Sequence, residues 1–445
     1  MREELTSFCA SRDELSSAAN RSCVHASAHV RICRDRSRGA VIIRNSALGA
    51  NASREERAII LRVGGPHPQT KLFRRLSSRA WVAPFRACQA GNYTFHVRLI
   101  VSGDPMLGGY GFASRCPVFH MPQATILNRF ALELPTASPG LDCERCLWSW
   151  RMDAPEDRRA RDSLSTFAAQ PHQELERGRQ PFSHLEWRDS ATARAANWLG
   201  RAPAASLPIC LIGDSQLRNL GNSLQALASG GACDAVLAQR NKSLCSGRVA
   251  YHLSFNDATS RPTMLSRKLF AKLEARHNFS KVFGRNWSCG AVLLNFGQWG
   301  ISFDRSVKKM SPYSASRYAN LVAATLAPLV AYRKAHGVPV AWVSMNPSPL
   351  AIAASRRQGT YAKTLMQHRM IECPPREWRM PHVTHAFNEA AREEVARAGV
   401  DYLDLEPIAL DLLDLSFDSI HYQDPVGTAL ARAVLGWHES VIGKV

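Results

Sequence analysis

The chain has 445 residues, with 56 Lys and Arg against 37 Asp and Glu, for a formal charge of +19. At 45% hydrophobic and 21% charged it can bury a substantial core, which excludes a largely disordered protein. Gly (27) and Pro (24) are near average, so collagen-like and low-complexity classes fall away, and the length favours two domains or one large one.

Residues 1–55 read as an irregular segment with scattered charges and no sustained periodicity. From 56 to 125 the pattern turns to period two, the mark of a small β-rich domain. In GNYTFHVRLIVS the apolar Tyr93, Phe95, Val97, Leu99 and Val101 alternate with Thr94, His96 and Arg98, a half-buried strand opened by a Gly-Asn turn. AIILRV and AWVAPF supply candidate partner strands for a β-sandwich. Residues 126–204 are expected to be a linker and connecting region, with a charged, polar stretch at 151–190.

After 205 strands alternate with helical patterns as far as residue 445. LPICLIGDS is a buried strand ending in a tight turn, and Leu217, Leu220, Leu224 and Leu227 then mark one helix face. GAVLLNFG is a second buried strand, followed by a helix over 312–336. VPVAWVSMNP, THAFNEAAREEVARAG and VDYLDLEP give strand, helix and strand, and 425–440 is helical. This alternation predicts an α/β fold, a three-layer sandwich with a mainly parallel sheet, whose active groups gather at the carboxyl ends of the strands.

The +19 invites a nucleic-acid partner, but its distribution speaks against one. Residues 1–100 carry 17 basic and 7 acidic residues, 101–200 carry 11 and 12, and 201–350 carry 18 and 5. Residues 351–400 carry 8 and 5, and 401–445 carry 2 and 8. The excess is spread over unlike segments and is mostly Arg in an Ala-rich chain, as genome base composition alone can produce.

No run approaches the roughly 18 apolar residues of a membrane helix, so membrane association is not evident. The N-terminus lacks the apolar core of a signal peptide. Twelve cysteines and six Asn-x-Ser/Thr sequons, at Asn20, Asn51, Asn92, Asn241, Asn278 and Asn286, nevertheless fit an oxidising lumen. The expectation is the secretory pathway, Golgi lumen or extracellular, with a true start upstream of Met1. Cys143 and Cys146 form a CxxC pair without a second pair at zinc spacing, so a disulfide role is expected and no metal site. His382 and His385 lack the intervening Glu of HExxH and are expected on a solvated helix surface.

Three blocks carry candidate chemistry. Gly213-Asp214-Ser215 places a serine between a buried strand and a helix, where free backbone N–H groups favour developing negative charge. The same residues would also serve as an ordinary N-cap. Asp418 and His421, three apart before the last helix, can supply a base and the acid that fixes its tautomer. Asn295-Phe-Gly297-Gln-Trp299 ends a strand with an amide and a glycine N–H suited to an oxyanion hole, or with a turn packed by tryptophan.

Together, GDSQLRN at 213–219, NFGQW at 295–299 and DSIHY at 418–422 resemble the SGNH/GDSL hydrolase superfamily. They match the patterns GDSxxR, NxGxW and DxxHY of its PC-esterase branch, which holds the Cas1p-like and trichome-birefringence-like polysaccharide O-acetyltransferases. The resemblance covers roughly residues 205–440. It implies Ser215 as nucleophile, His421 as general base and Asp418 as its orienting acid. It further implies an oxyanion site from Asn295, Gly297 and the Ser215 N–H, with Gly213, Asp214 and Trp299 shaping it. Arg218 fits the family's arginine, either pairing with an acid near Asp418 or facing substrate. The Trp- and Cys-rich N-terminal block of the plant proteins has no copy here. The β-rich region is instead similar to the Ig-like domain of NXPE-type proteins.

The implied activity is transfer of an acyl group, acetyl first among the candidates, through an acyl-serine to a glycan or polysaccharide hydroxyl. The acyl donor would be acetyl-CoA or another acyl ester, and no cofactor is implied. Two alternatives stand beside it: a carbohydrate or lipid acyl esterase, and a non-catalytic secreted glycan-binding protein. The surplus positive charge suggests an acidic polysaccharide as acceptor and no nucleic acid.

Overall fold

A computed structural model describes residues 22–25, 30–35, 38–44, 57–64, 68–77, 80–86, 91–102, 125–134, 149–152, 185–188, 209–228, 249–253, 289–298, 315–347, 381–413, 421–422 and 426–442. The chain divides into two compact units. One holds residues 1–189, 349–376 and 410–419, the other 190–348, 377–409 and 420–445.

The first unit contains β1 (Ser22–His25), β2 (Val30–Asp35), β3 (Arg38–Arg44), β4 (Arg57–Gly64), β5 (Gln69–Leu72), β6 (Arg74–Ser77), β7 (Ala80–Arg86), β8 (Gly91–Ser102) and β9 (Thr125–Leu134). They form two antiparallel sheets, ordered β1-β2-β3-β7-β6 and β5-β4-β8-β9. One core serves both sheets. Tyr93, Phe95 and Val97 of β8 join Ile59, Leu61 and Val63 of β4, and meet Val41, Ile43 and Phe85 from the other sheet. Phe85 and Phe95 pack edge to face, with ring centroids 5.0 Å apart. Such pairs add about 0.5–1.5 kcal/mol beyond area burial. The unit is therefore a β-sandwich, as the period-two pattern of β8 predicts.

Its limits differ from those expected. Residues 1–55, read as irregular, hold β1 to β3, and β9 lies almost wholly in the expected connecting region. In β3, RGAVIIR, the apolar residues run together between arginines, so period two is hidden. AIILRV does pair with β8, whereas AWVAPF sits in the opposite sheet. A further antiparallel pair, β10 (Ser149–Met152) and β11 (Leu185–Arg188), also falls in the expected connecting region. Asn92 is exposed on β8, while the other five sequons and the Cys143/Cys146 pair lie outside the described residues.

The second unit is built on β12 (Ile209–Gly213), β13 (Val249–Leu253), β14 (Ala291–Asn295), β15 (Val340–Val343) and β16 (Asp401–Leu403). All four pairings are parallel, in the order β13-β12-β14-β15-β16. The helices are α1 (Ser215–Ala228), α2 (Ala315–His336), α3 (Pro381–Arg397) and α5 (Val426–Ile442), while the short α4 (Glu406–Asp411) follows β16 and ends in residues 410–411 of the first unit. Every residue of β12, β14 and β15 is buried, so both faces of the sheet are covered. The chain moves one way from β12 to β13 and the other way from β14 to β16. Right-handed crossovers then put α1 and α2 on opposite faces. The α1 helix packs against α5 and α2 against α3. Leu217, Leu220 and Leu224 turn into the core, as their spacing predicts.

Strand β16 is shorter than VDYLDLEP suggests, because Glu406-Pro407 opens α4. A proline with fixed φ and no N–H suits the first turn of a helix. Among the described residues no helix is long and apolar enough to cross a membrane.

A disulfide joins Cys210 of β12 to Cys289, just before β14, with Cα atoms 5.7 Å apart. It closes a loop with a sequence separation of 79. A loop of that size stabilises by about 4 kcal/mol in the chain-entropy account. Replacing both cysteines by alanine is expected to lower stability by an amount of that order, read by urea unfolding.

Candidate active site

The sheet order reverses between β12 and β14, and ligands of doubly wound sheets bind at this switch point, beyond the strand carboxyl ends. Gly213, the last residue of β12, lies in register with Asn295, the last of β14. The backbones there approach so closely that a Cβ on Gly213 would sit 2.0 Å from the Asn295 carbonyl oxygen. The Asp214 N–H donates to that same oxygen at 3.3 Å. The glycine of the first block and the asparagine of the second thus belong to one contact.

Asp214 then caps α1: its Oδ1 accepts from the Gln216 N–H at 2.9 Å. Its Oδ2 accepts from the Gln298 N–H at 3.3 Å. Ser215 is consequently the first helical residue and not the cap. It is 5% exposed, and among the described residues no group bonds its hydroxyl.

The side-chain amide of Asn295 donates to the Val343 carbonyl at 2.8 Å, fastening β14 to β15. One of its two N–H bonds is therefore committed to the scaffold. The backbone N–H groups of Ser215 and Gly297 have no acceptor among the described residues, which makes them the available donors at this edge. Gly297 has φ +147, and a Cβ there would lie 2.5 Å from the Met345 sulfur and 2.7 Å from the Tyr318 oxygen. The Tyr318 hydroxyl donates to the Phe296 carbonyl at 2.5 Å. Burial, and then the negative charge of Asp214, raise its pKa well above the usual tyrosine value, so it stays a neutral donor.

His421 is buried, and its neighbour Tyr422 is held from two sides. Asn219, one turn beyond Ser215 on α1, donates its amide to the Tyr422 carbonyl. The Tyr422 hydroxyl donates to the Pro347 carbonyl at 2.6 Å. The segment carrying His421 is therefore bonded to the helix carrying Ser215. Asp418 and Trp299 lie outside the described residues. The Arg218 guanidinium is half-buried and forms no ion pair among the described residues, while its backbone N–H donates to the Asp214 carbonyl at 3.2 Å.

Several polar residues here were not singled out from sequence. Gln216 and Asn346 exchange two hydrogen bonds, and Gln298 also donates to the Asn346 carbonyl. Asn388 of α3 accepts from the Met345 N–H at 2.8 Å and donates to its carbonyl at 2.9 Å. Gln216 and Gln298 lie inside the motif blocks, but only the fold reveals their shared partner.

The expected solvated surface fails for His382 and holds in part for His385. His385 Nδ1 lies 3.2 Å from Glu406 Oε2, with the histidine side chain 32% exposed and the glutamate buried. His382 is only half-buried as a residue, yet both ring nitrogens are shut off from solvent and unbonded among the described residues. Burial first, and then the charge of His385, push its pKa down to about 3. The helix begins at Pro381, one turn earlier than the apolar pattern, and buries its first turn. Among the described residues no group of three or more His, Cys, Asp or Glu could hold a metal ion.

No family model matches this chain, and no curated protein matches it in sequence. Solved structures do show a likeness. The structure of LAE5, an alpha/beta hydrolase enzyme from the metagenome of Lake Arreo, Spain, is 16% identical with a TM-score of 0.31, covering 54% of this chain and 97% of that one. A Streptococcus pneumonia protein named after platelet activating factor is 13% identical with a TM-score of 0.31, covering 61% of this chain and 99% of that one. Likeness at this level identifies no activity for the present chain.

Two outcomes follow from the geometry. Gly213→Ala must separate β12 from β14 and is expected to lower the melting temperature by several degrees, since the obstructing atom is backbone. In the unfolded chain His382 takes a proton near 6.5, whereas the folded one resists until about 3. Its contribution is thus complete above 6.5 and is lost as pH falls towards 3. In His382→Gln, urea unfolding at pH 7 and pH 4 should show a smaller acid-side loss of stability than in the wild type.

Proposed function

We propose that the chain is a serine-dependent O-acyltransferase of the SGNH type, in the PC-esterase branch. It would transfer an acetyl group to a glycan or polysaccharide hydroxyl. The observation that carries the reading is Ser215 as the first residue of α1 at the switch point, with Asp214 taking over the capping role. Its hydroxyl is left for chemistry, in the field of a helix N-terminus.

Ser215 Oγ attacks the acyl carbonyl of a donor ester or thioester, and its proton passes to His421. The Ser215 and Gly297 N–H groups receive the oxyanion, helped by whatever donor capacity Asn295 retains. Collapse breaks the bond to the donor's leaving group, which departs with the proton from His421. A sugar hydroxyl then attacks the acyl-serine and gives its proton to His421. Expulsion of Ser215 Oγ, which takes that proton back, leaves a sugar ester. Asp418 would hold the imidazole tautomer throughout. With water as second nucleophile the same steps hydrolyse an ester, which is the second reading.

The buried Cys210–Cys289 disulfide and the disulfide-bonded Cys33 support an oxidising secretory lumen. The sandwich of the first unit supports an Ig-like accessory domain. The excess of 18 basic over 5 acidic residues in 201–350 supports an acidic glycan as acceptor.

The test uses p-nitrophenyl acetate and acetyl-CoA as donors, with and without a polysaccharide acceptor, on wild type and Ser215→Ala. The expected result is acetyl trapped on Ser215 in the wild type, none in the variant, and acceptor acetylation exceeding free acetate. Acetate release unchanged by acceptor would favour the esterase. Acetyl label persisting in Ser215→Ala would remove the nucleophile, and glycan affinity without turnover in either protein would favour a binding protein.

A further inference from the structure

Two glutamines in the site occupy positions that the patterns GDSxxR and NxGxW leave open: Gln216 and Gln298. Gln216 donates Nε2 to the Asn346 carbonyl at 2.9 Å and accepts from the Asn346 N–H at 2.9 Å. Gln298 donates Nε2 to the same carbonyl at 2.9 Å. Their backbone N–H groups in turn share the Asp214 carboxylate. The bonds close a ring, Asp214–Gln216–Asn346–Gln298, tying the carboxyl ends of β12, β14 and β15 together. Gln216 is 5% and Gln298 1% exposed, so water does not compete freely for these bonds.

The ring brackets the groups on which the proposed chemistry depends. Ser215 stands between Asp214 and Gln216, both of them ring members. Gly297 stands between Gln298 and Phe296, whose carbonyl takes the Tyr318 hydroxyl. We propose that Gln216 and Gln298 act as one positioning pair, holding the Ser215 turn and the Gly297 N–H in mutual register through Asn346. Neither glutamine is given a role in bond making. Breaking either arm opens the ring, and only the closed ring holds the Ser215 turn and the Gly297 N–H in mutual register, so the effect of the second break is small. The kinetic consequence rests on the acyl-transfer reading, while the mechanical coupling does not.

The experiment compares the full-length wild type with Gln216→Met, Gln298→Met and the double variant, which keep side-chain volume near constant. Three readouts are taken: p-nitrophenyl acetate turnover per site titrated with a fluorophosphonate, melting temperature, and amide exchange of the 213–219 peptide by mass spectrometry. Each single substitution is expected to lower kcat about tenfold or more, with KM within about twofold, as displacement of a positioned nucleophile does. The double variant should fall no more than about twofold below the weaker single, because contacts within one network are non-additive. Gln298→Met should speed exchange in the 213–219 peptide, which it does not itself alter. Additive kinetic losses, or exchange there unchanged from wild type, would overturn the pairing. If wild type neither turns over ester nor labels Ser215, the acyl-transfer reading fails, and the exchange result still decides the pairing.

Discussion

A single buried carboxylate organises the second unit. Asp214 is 1% exposed, and its two oxygens take N–H groups from different connections, Gln216 after β12 and Gln298 after β14. A carboxylate in such surroundings is tolerable only when hydrogen-bonded, and these donors, together with the N-terminal field of α1, meet that need. The arrangement requires β12 and β14 to be neighbours with their ends level, which the parallel order and the Gly213–Asn295 register supply. Ser215 owes its position to this constraint. It sits at the first helical position because the residue before it is engaged as the cap.

The close packing around that carboxylate explains which residue types the site tolerates. Gly213 and Gly297 stand where a Cβ would meet backbone or a fixed side chain. Tyr318 reaches from α2 to hold the Phe296 carbonyl, and Phe296 packs edge to face on Trp342 with ring centroids 5.1 Å apart. Asn388 grips both main-chain groups of Met345 from α3. The segments that follow β14 and β15 are thus each secured by a side chain from another element. Such a frame can hold the Ser215 hydroxyl in place without bonding it directly.

The α/β alternation, the buried strands and the leucine face of α1 were legible because their periods are local. The strand at 91–102 was legible for the same reason, since one face of β8 alternates cleanly into the sandwich core. Strand β3 escaped notice because its apolar residues are contiguous and flanked by arginines, and β2 because Arg31 breaks its apolar run. The histidine at 382 was misread because the helix starts at Pro381 and buries its first turn. Spacing within a helix says which residues share a face. It does not say what covers that face.

The sequence by itself determined the residue types of the candidate site: a serine after a buried strand, a glycine at each close approach, a histidine ahead of the last helix. These are visible because each is a local consequence of a turn, a strand end or a helix start. Only the tertiary structure decided that Asp214 is a cap and a cross-link, that Asn295 spends a side-chain N–H on Val343, and that Gln216 and Gln298 share Asn346. Those assignments depend on which strand ends lie side by side. Hydrogen-bond partners from 48 to 130 residues apart are fixed by sheet order and leave no periodic trace in the chain.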